Sequence, residues 1–484
     1  MKSVKLNAIL NAFRLTLMVL VPLITYPYVA RIFSPDGMGK IAFATSSVAI
    51  FTLLASLGIY SYGVREGAKV KGDRVAFSRL ALSLTLLNVI STGLSYLIFF
   101  SCLYFVPVFY EHKELMALYC IQIGFVALGF DWVFGAFEEY VYITVRQIIV
   151  QIVVIILVFA LIHTPADIYL YAIIMLISSV GANIFNIFKA SKYISFLEIK
   201  HVTIIKHIAP IFILFVTSLT SKIYDNLDAI LLGFLTDDYQ IGIYTVAVKI
   251  ITILVTFFCA MAPVFIPKIV KISVRNENPS ELQTFLKKIF AFIIWLSLPA
   301  CVGLITLRNN VIFVLAGYGF EESANTMSFL APIIIVTPIC NIIYYNVLFP
   351  KNYEMMVFKL TFFVAMINLI TCSVLIPCIG AKGAALGSLI AETLGLLVAF
   401  VYSKKIGVIS LKCLPKVNYY FLGSFVVYIT CMLCSSCFDC NRLIFLMLTI
   451  AICMMVYFVV LLLLKEPLTN QIIELGVNLV HKKL

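Results

Sequence analysis

Apolar stretches of about 20 residues, the length a helix needs to cross the hydrocarbon of a bilayer, recur along almost the whole of this 484-residue chain. Fourteen can be told apart, at roughly Asn11–Phe33, Ile41–Gly63, Arg79–Phe105, Leu115–Phe137, Arg146–His163, Ile168–Phe188, Ile208–Leu235, Ile241–Ile266, Leu286–Leu307, Met327–Phe349, Met356–Ile376, Gly383–Tyr402, Tyr419–Cys434 and Leu443–Leu464. A water-soluble fold cannot hide so much oily side chain, because its interior grows too slowly with mass. Composition agrees: 63% of residues are hydrophobic and 12% charged, against roughly 45–50% apolar and about 25% charged in soluble domains. Soluble enzymes and disordered proteins are excluded. The expected fold is all-α and integral to the membrane, with fourteen transmembrane helices.

The basic residues orient these spans. With the N-terminus inside, inside segments hold 26 Lys and Arg and outside segments 6: Arg31, Lys40, Lys113, Arg308, Lys382 and Arg442. Positively charged loops stay in the cytoplasm, so both termini are expected there, in a bacterial inner (cytoplasmic) membrane. The net charge of +12 then belongs to cytoplasmic loops and implies no nucleic-acid partner. The first span carries Arg14, Pro22 and Pro27 and lacks a small-residue cleavage site, so it reads as a true span. No loop is large enough to form a separate catalytic domain.

A faint internal repeat organises the chain. Phe33-Ser34-Pro35-Asp36-Gly37-Met38-Gly39 after the first span matches Leu235-Thr236-Asp237-Asp238-Tyr239-Gln240-Ile241-Gly242 after the seventh, with one inserted residue. Tyr140 to Arg146 before the fifth span likewise matches Tyr353 to Lys359 before the eleventh. A parallel repeat is the pattern of transporters whose halves rock around a central site. The expected domains are a six-helix lobe at 1–190, a cytoplasmic linker at 191–207, a second six-helix lobe at 208–403, an appended helix pair at 404–464 and a cytoplasmic tail at 465–484.

Charge inside a bilayer costs at least roughly 2.5–3.5 kcal/mol per residue, so it signals function or a buried partner. Three cations belong to neither the inside nor the outside count and fall within spans: Arg14, Lys222 and Lys249. Each sits on a polar helical face. Asn7, Asn11 and Arg14 share one face of the first span, and Thr25 and Tyr28 continue near it. Ser218, Ser221, Lys222, Asp225 and Asp228 form a face on the seventh, and Thr245, Lys249, Thr252 and Thr256 one on the eighth. Thr45, Thr52, Ser56 and Tyr60 give the second a weaker counterpart. These four spans correspond under the repeat, as expected if they line one hydrophilic chamber. The competing reading has Arg14 snorkelling to the membrane surface and Lys222 pairing locally with Asp225.

Four segments resemble the Wzx-type polysaccharide flippases, in the superfamily that also holds the MATE exporters and the MurJ lipid II flippases. They are Tyr26-Pro27-Tyr28-Val29-Ala30-Arg31-Ile32-Phe33-Ser34-Pro35-Asp36-Gly37-Met38-Gly39, Asp131-Trp132-Val133-Phe134-Gly135, Tyr224-Asp225-Asn226-Leu227-Asp228-Ala229-Ile230-Leu231-Leu232-Gly233, and Ile376-Pro377-Cys378-Ile379-Gly380-Ala381-Lys382-Gly383-Ala384-Ala385 with Glu392. The resemblance implies two six-helix lobes plus two helices, and transfer of undecaprenyl-pyrophosphate-linked oligosaccharide repeat units to the outer leaflet for surface polysaccharide such as O-antigen or capsule. It also implies membrane lipids and the polysaccharide polymerase machinery as partners.

On that reading Arg14, Lys222 and Lys249 make the chamber cationic, and Arg31 guides the headgroup at the outer mouth, although solvation of the loop explains Arg31 as well. Arg offers phosphate a bidentate fork and Lys a point charge, while Asn7, Asn11, Thr25, Tyr28, Thr45, Ser221, Thr245 and Thr252 offer hydrogen bonds to sugars. Asp225, Asp228 and Glu392 are candidates for coupling to H+ or Na+, although an ion pair for Asp225, an outer-edge position for Asp228 and a structural partner for Glu392 explain them as well. Asp131 and Trp132 read as an interfacial anchor. No cofactor or metal site is expected. The series Cys431, Cys434, Cys437 and Cys440 reads as small apolar residues, and no nucleotide-binding glycine loop or catalytic elbow is present. The chain is not expected to be an enzyme. The rivals are a lipid II or multidrug exporter of the same superfamily, the latter disfavoured by a basic chamber, and an integral-membrane polysaccharide polymerase, disfavoured by the lack of a large outside loop.

Overall fold

A computed structural model describes residues 4–195, 203–275, 279–437, 441–471 and 473–474, without the side chains of 4–20, 217, 218, 220 and 221 among others. Every regular element among them is helical, and eleven helices are long and apolar enough to cross a membrane. They expose Leu97, Ile156, Val401 and Met455 by 59% or more. Only lipid tolerates such surface, since soluble monomers rarely carry large contiguous apolar patches. The chain packs as two compact units, Met1–Gly242 and Ile243–Leu484.

In the first unit, the helix Val4–Ser56 is broken at Ser34, whose φ of 62° and ψ of 172° no helix contains. The first two expected spans are its two parts. The second stops at Ser56, not Gly63: Leu57 and Gly58 both take positive φ, and a separate helix, Ile59–Val70, follows. Asp73 caps Arg74–Phe105 by accepting from the amides of Val75 and Ala76. That helix ends where Val106 turns extended before Pro107, because a residue preceding proline avoids the helical region. Its Ser91 and Ser95 hydroxyls donate to the carbonyls of Ala55 and Phe51, each at 2.6 Å. The fourth expected span is not continuous: it is three short helices, Lys113–Tyr119, Ile121–Val126 and Asp131–Ala136. Tyr140–Leu161 and Ile168–Ala190 follow as long apolar helices.

The helix Ile205–Leu235, which opens the second lobe in the sequence reading, packs inside this first unit. Gly233 makes that possible: a Cβ there would lie 2.2 Å from the Phe43 ring. Next to it the two matched turns meet reciprocally. A Cβ on Gly39 would lie 1.8 Å from the carbonyl oxygen of Asp238, and one on Gly242 would lie 2.0 Å from that of Pro35. Backbones come this close only where both side chains are absent.

In the second unit, the tenth expected span is divided into Glu321–Leu330, Ile333–Asn341 and a π-helical turn, Ile342–Leu348, with Pro332 and Pro338 removing helical donors. Glu354–Ile379 and Ala381–Lys405 form a tight pair joined by Gly380 at φ 58°. The stripe Gly383, Gly387, Ala391, Gly395 makes this contact; a Cβ on Gly383 would lie 2.4 Å from the Leu375 carbonyl oxygen and one on Gly395 2.3 Å from Val364. The last two long helices, Asn418–Cys437 and Arg442–Leu463, bury Tyr420, Cys431, Cys434 and Tyr457 against Ala291 and Leu298 of Pro279–Thr306.

Candidate functional site

The polar stripes of the seventh and eighth spans are partly exposed among the described side chains. On Ile205–Leu235, Lys222 Nζ lies 3.7 Å from Asp225 Oδ2, one helical turn away, yet both side chains are more than half exposed, at 61% and 58%. The local ion pair foreseen as an alternative is therefore present. It does not bury the charges, and an exposed pair of this kind holds its partners weakly. Asp228 is half-buried on the same helix. On Asp238–Cys259, Thr245 and Lys249 are half-buried while Thr252 and Thr256 are exposed. The apolar faces of that helix, including Ile243, Val246, Ala247 and Ile250, are buried. Charged side chains on helices of this hydropathy must face water or polar groups, because lipid would charge them several kcal/mol each (roughly 2.5–3.5 or more).

The other candidates divide. Thr25 is buried and its hydroxyl donates to the Val21 carbonyl, and Thr45 donates likewise to Ile41; hydroxyls so engaged are satisfied by their own helix. Tyr28 donates to the carbonyl of Ile162 at 2.6 Å and packs on Phe159, which ties it to the end of Tyr140–Leu161. Arg31 is exposed beside the turn at Ser34. Glu392 is half-buried and accepts from the Thr337 hydroxyl at 3.2 Å. Asn7, Asn11, Arg14 and Ser221 lie outside the residues whose side chains are described, as do Cys437 and Cys440.

Two polar constellations escaped the sequence reading. Asp131 has specific partners beyond the expected interfacial position: it accepts from Arg146 Nη2 and Asn186 Nδ2, each at 2.8 Å, and Arg146 donates in turn to Asn186 Oδ1. Arg146 is only 6% exposed. Trp132 is buried as well, filling the space above Gly63, where a Cβ would sit 2.6 Å from the indole. The second constellation is His112, whose Nε2 lies 2.8 Å from Asp238 Oδ1 and whose Nδ1 meets the Val108 carbonyl. Burial lowers its affinity for a proton, but the bonds to Asp238 and Val108 with the nearby Asp238 and Glu111 charges outweigh this, and its pKa is raised above 6.5. Arg146 carried a signal, since it stands in the second repeat match; His112 carried none.

The second unit also holds an apolar cavity of about 710 Å3. Phe257, Trp295, Pro299, Val427, Met454 and Tyr457 are among its walls, so it opens between the eighth and ninth spans and the last two.

Comparison with known proteins places this architecture. The model of the family described as "Polysaccharide biosynthesis protein" matches residues 6–273, more than half of the chain. The chain belongs to that family. Among its curated relatives is a "Putative O-antigen transporter" of Escherichia coli (strain K12), 19% identical over 80% of this chain and 94% of the relative. A protein of the same name from Shigella dysenteriae is 22% identical over 78% of this chain and 93% of its own length. Among solved structures, the lipid II flippase MurJ in an inward closed conformation superposes with a TM-score of 0.66 at 19% identity, covering 94% of this chain and 97% of the other. An inward-facing multidrug resistance MATE transporter gives 0.63 at 14% identity, covering 80% and 94%. At these identities the two structures bear on the fold alone. This family member thus combines helices that leave polar, charged faces uncovered with an apolar cavity beside its last helix pair.

Proposed function

We propose that this protein is a flippase that carries undecaprenyl-pyrophosphate-linked oligosaccharide repeat units from the cytoplasmic to the outer leaflet of a bacterial inner membrane, by alternating access and without enzymatic chemistry. The observation that carries the reading is charge on otherwise apolar helices: exposed Lys222 with Asp225 on one, and half-buried Lys249 beside the exposed Thr252 and Thr256 on the next. A pyrophosphate with sugars must cross about 30 Å of hydrocarbon, and a wet cationic path lets it do so, with Arg14 and Arg31 extending that path. The polyprenyl tail, which cannot enter water, suits the apolar cavity beside Trp295 and Met454. Membership of a polysaccharide biosynthesis family and relatives named as O-antigen transporters support the cargo class.

Fourteen crossings fit the helices best. The eleven long apolar helices count Ile24–Val70 as one although it holds the break at Ser34, leave Ile205–Leu235 only as the shorter apolar piece Ile205–Val216, and omit the three-part segment 113–136. The bias of basic loops supports cytoplasmic termini, and Asp225, Asp228 and Glu392 are the groups through which H+ or Na+ would couple. Hand-over of cargo to the polymerase machinery belongs to the same reading.

Deletion of the gene followed by lipid extraction tests it. The expected result is a lipid-linked repeat unit accumulating on the cytoplasmic leaflet, with surface polysaccharide lost. Unchanged polysaccharide and no trapped lipid would contradict the proposal.

A further inference from the structure

A second cleft lies within the first unit. It opens between Tyr140–Leu161 and Ile168–Ala190, has a volume of about 440 Å3, and is lined by Tyr142, Arg146, Phe185, Phe188, Lys189 and Lys192 among others. Its floor is built, not incidental. Arg146 is 6% exposed and held by Asp131 and Asn186, and its Nε has no hydrogen-bond partner among the described residues. Lys189 donates to Glu139 and lies 3.6 Å from the centroid of the Tyr142 ring, a cation–π contact that fixes its direction. Lys192 is exposed and no carboxylate pairs with it among the described residues. Three cations against two carboxylates, Asp131 and Glu139, leave the cleft a surplus of positive charge.

Apolar side chains continue outward from these cations along the helices. Phe188 is 74% exposed at the mouth, and Val145, Ile149, Ile152 and Ile156 form an exposed strip one turn apart up the neighbouring helix. Basic groups with aromatic rings at one end of a lipid-facing strip match a lipid with an anionic head and an alkyl chain. Clefts of this make-up on the cytoplasmic side hold phospholipid headgroups.

We propose that this cleft binds an anionic phospholipid of the cytoplasmic leaflet, its phosphate against Lys192 and Lys189 and one acyl chain along the strip from Val145 to Ile156. The side assignment rests on the membrane orientation adopted above; the binding itself does not. Such a lipid holds the ends of Tyr140–Leu161 and Ile168–Ala190 together.

The test uses the full chain purified in a non-ionic detergent and native mass spectrometry to read bound phosphatidylglycerol, phosphatidylcholine, undecaprenyl phosphate or inorganic phosphate. Phosphatidylglycerol is expected to be retained over phosphatidylcholine. Lys192→Glu should weaken its binding about thirtyfold, the scale of one Lys contact with an anionic lipid surface counted twice for charge reversal. Lys192→Gln should have a smaller effect in the same direction, and Lys404→Glu, an exposed charge on another unit, none. Equal binding to wild type and Lys192→Glu, or equal retention of both phospholipids, would overturn the proposal. So would displacement of phosphatidylglycerol by inorganic phosphate, or a preference for undecaprenyl phosphate, which would assign the cleft to the cargo. No transport occurs in this assay, so its failure leaves the flippase reading standing, and failure of export in cells leaves lipid binding standing.

Discussion

His112 and Asp238 form the contact whose behaviour with pH is clearest. The imidazole lies outside the spans, packed against Phe43 at 4.7 Å between ring centroids, with Asp238 and Glu111 as the carboxylates acting on it. Its pKa in the folded protein is raised above 6.5, so folding favours the protonated form. The stabilisation is therefore complete below about 6.5 and is lost as pH rises through the raised value. A charged hydrogen bond of this type contributes about 1.5–3 kcal/mol. Thermal unfolding of the purified protein should show stability falling as pH rises from mildly acidic to alkaline, and His112→Asn should flatten that dependence. An identical slope in the variant would refute the assignment. The Asp131, Arg146 and Asn186 group teaches the complementary lesson. Its members are 15 to 55 residues apart in sequence, so no local spacing could reveal that the carboxylate taken for a surface anchor neutralises a buried guanidinium.

At the scale of elements, the helices were legible because hydropathy needs only a window of one span, and their breaks were not. The interruption at Cys120 and the passage from Val126 to Asp131 divide a segment whose apolar run is unbroken, and only the tertiary contacts there, such as Tyr96 donating to the Cys120 carbonyl at 3.0 Å, distinguish it from a continuous span. The glycines were partly legible. The stripe in Ala381–Lys405 announced close packing by its spacing of four, whereas Gly39 and Gly242 emerged only as members of a repeat, with no hint that the matched turns touch. Each fills a position where a methyl group would strike a backbone carbonyl, within 1.8 and 2.0 Å. Gly39→Ala and Gly242→Ala should each destabilise the protein by about 1–3 kcal/mol, the range for overpacking. Gly93→Ala, with open space around it, should be neutral or slightly stabilising, since alanine favours helix. Denaturation of the three variants in one detergent checks both halves of this prediction; equal stability of all three would contradict the close approach.

For the whole molecule, the membrane class followed from composition and the proposed cargo class from family motifs, while the candidate site was legible only as stripes of polarity. The structure leaves Lys222, Asp225, Thr252 and Thr256 exposed and Lys249 half-buried, and turns Thr25, Thr45 and Tyr28 toward their own or neighbouring helices. Hydroxyls on a helix face do not declare whether they will bond inward or wait for a ligand; a lysine in an apolar helix does, because few surroundings tolerate it. Lys249 therefore carries the central claim. The most direct measurement reconstitutes the purified protein in liposomes and follows transfer of an undecaprenyl-pyrophosphate-linked oligosaccharide between leaflets. Lys249→Ala should slow that transfer by about tenfold or more, as expected for losing one charge-assisted contact of about 1.5–3 kcal/mol, with Lys249→Arg retaining most of it and both variants folding normally. Transfer by Lys249→Ala at the wild-type rate would contradict a cationic path for the headgroup.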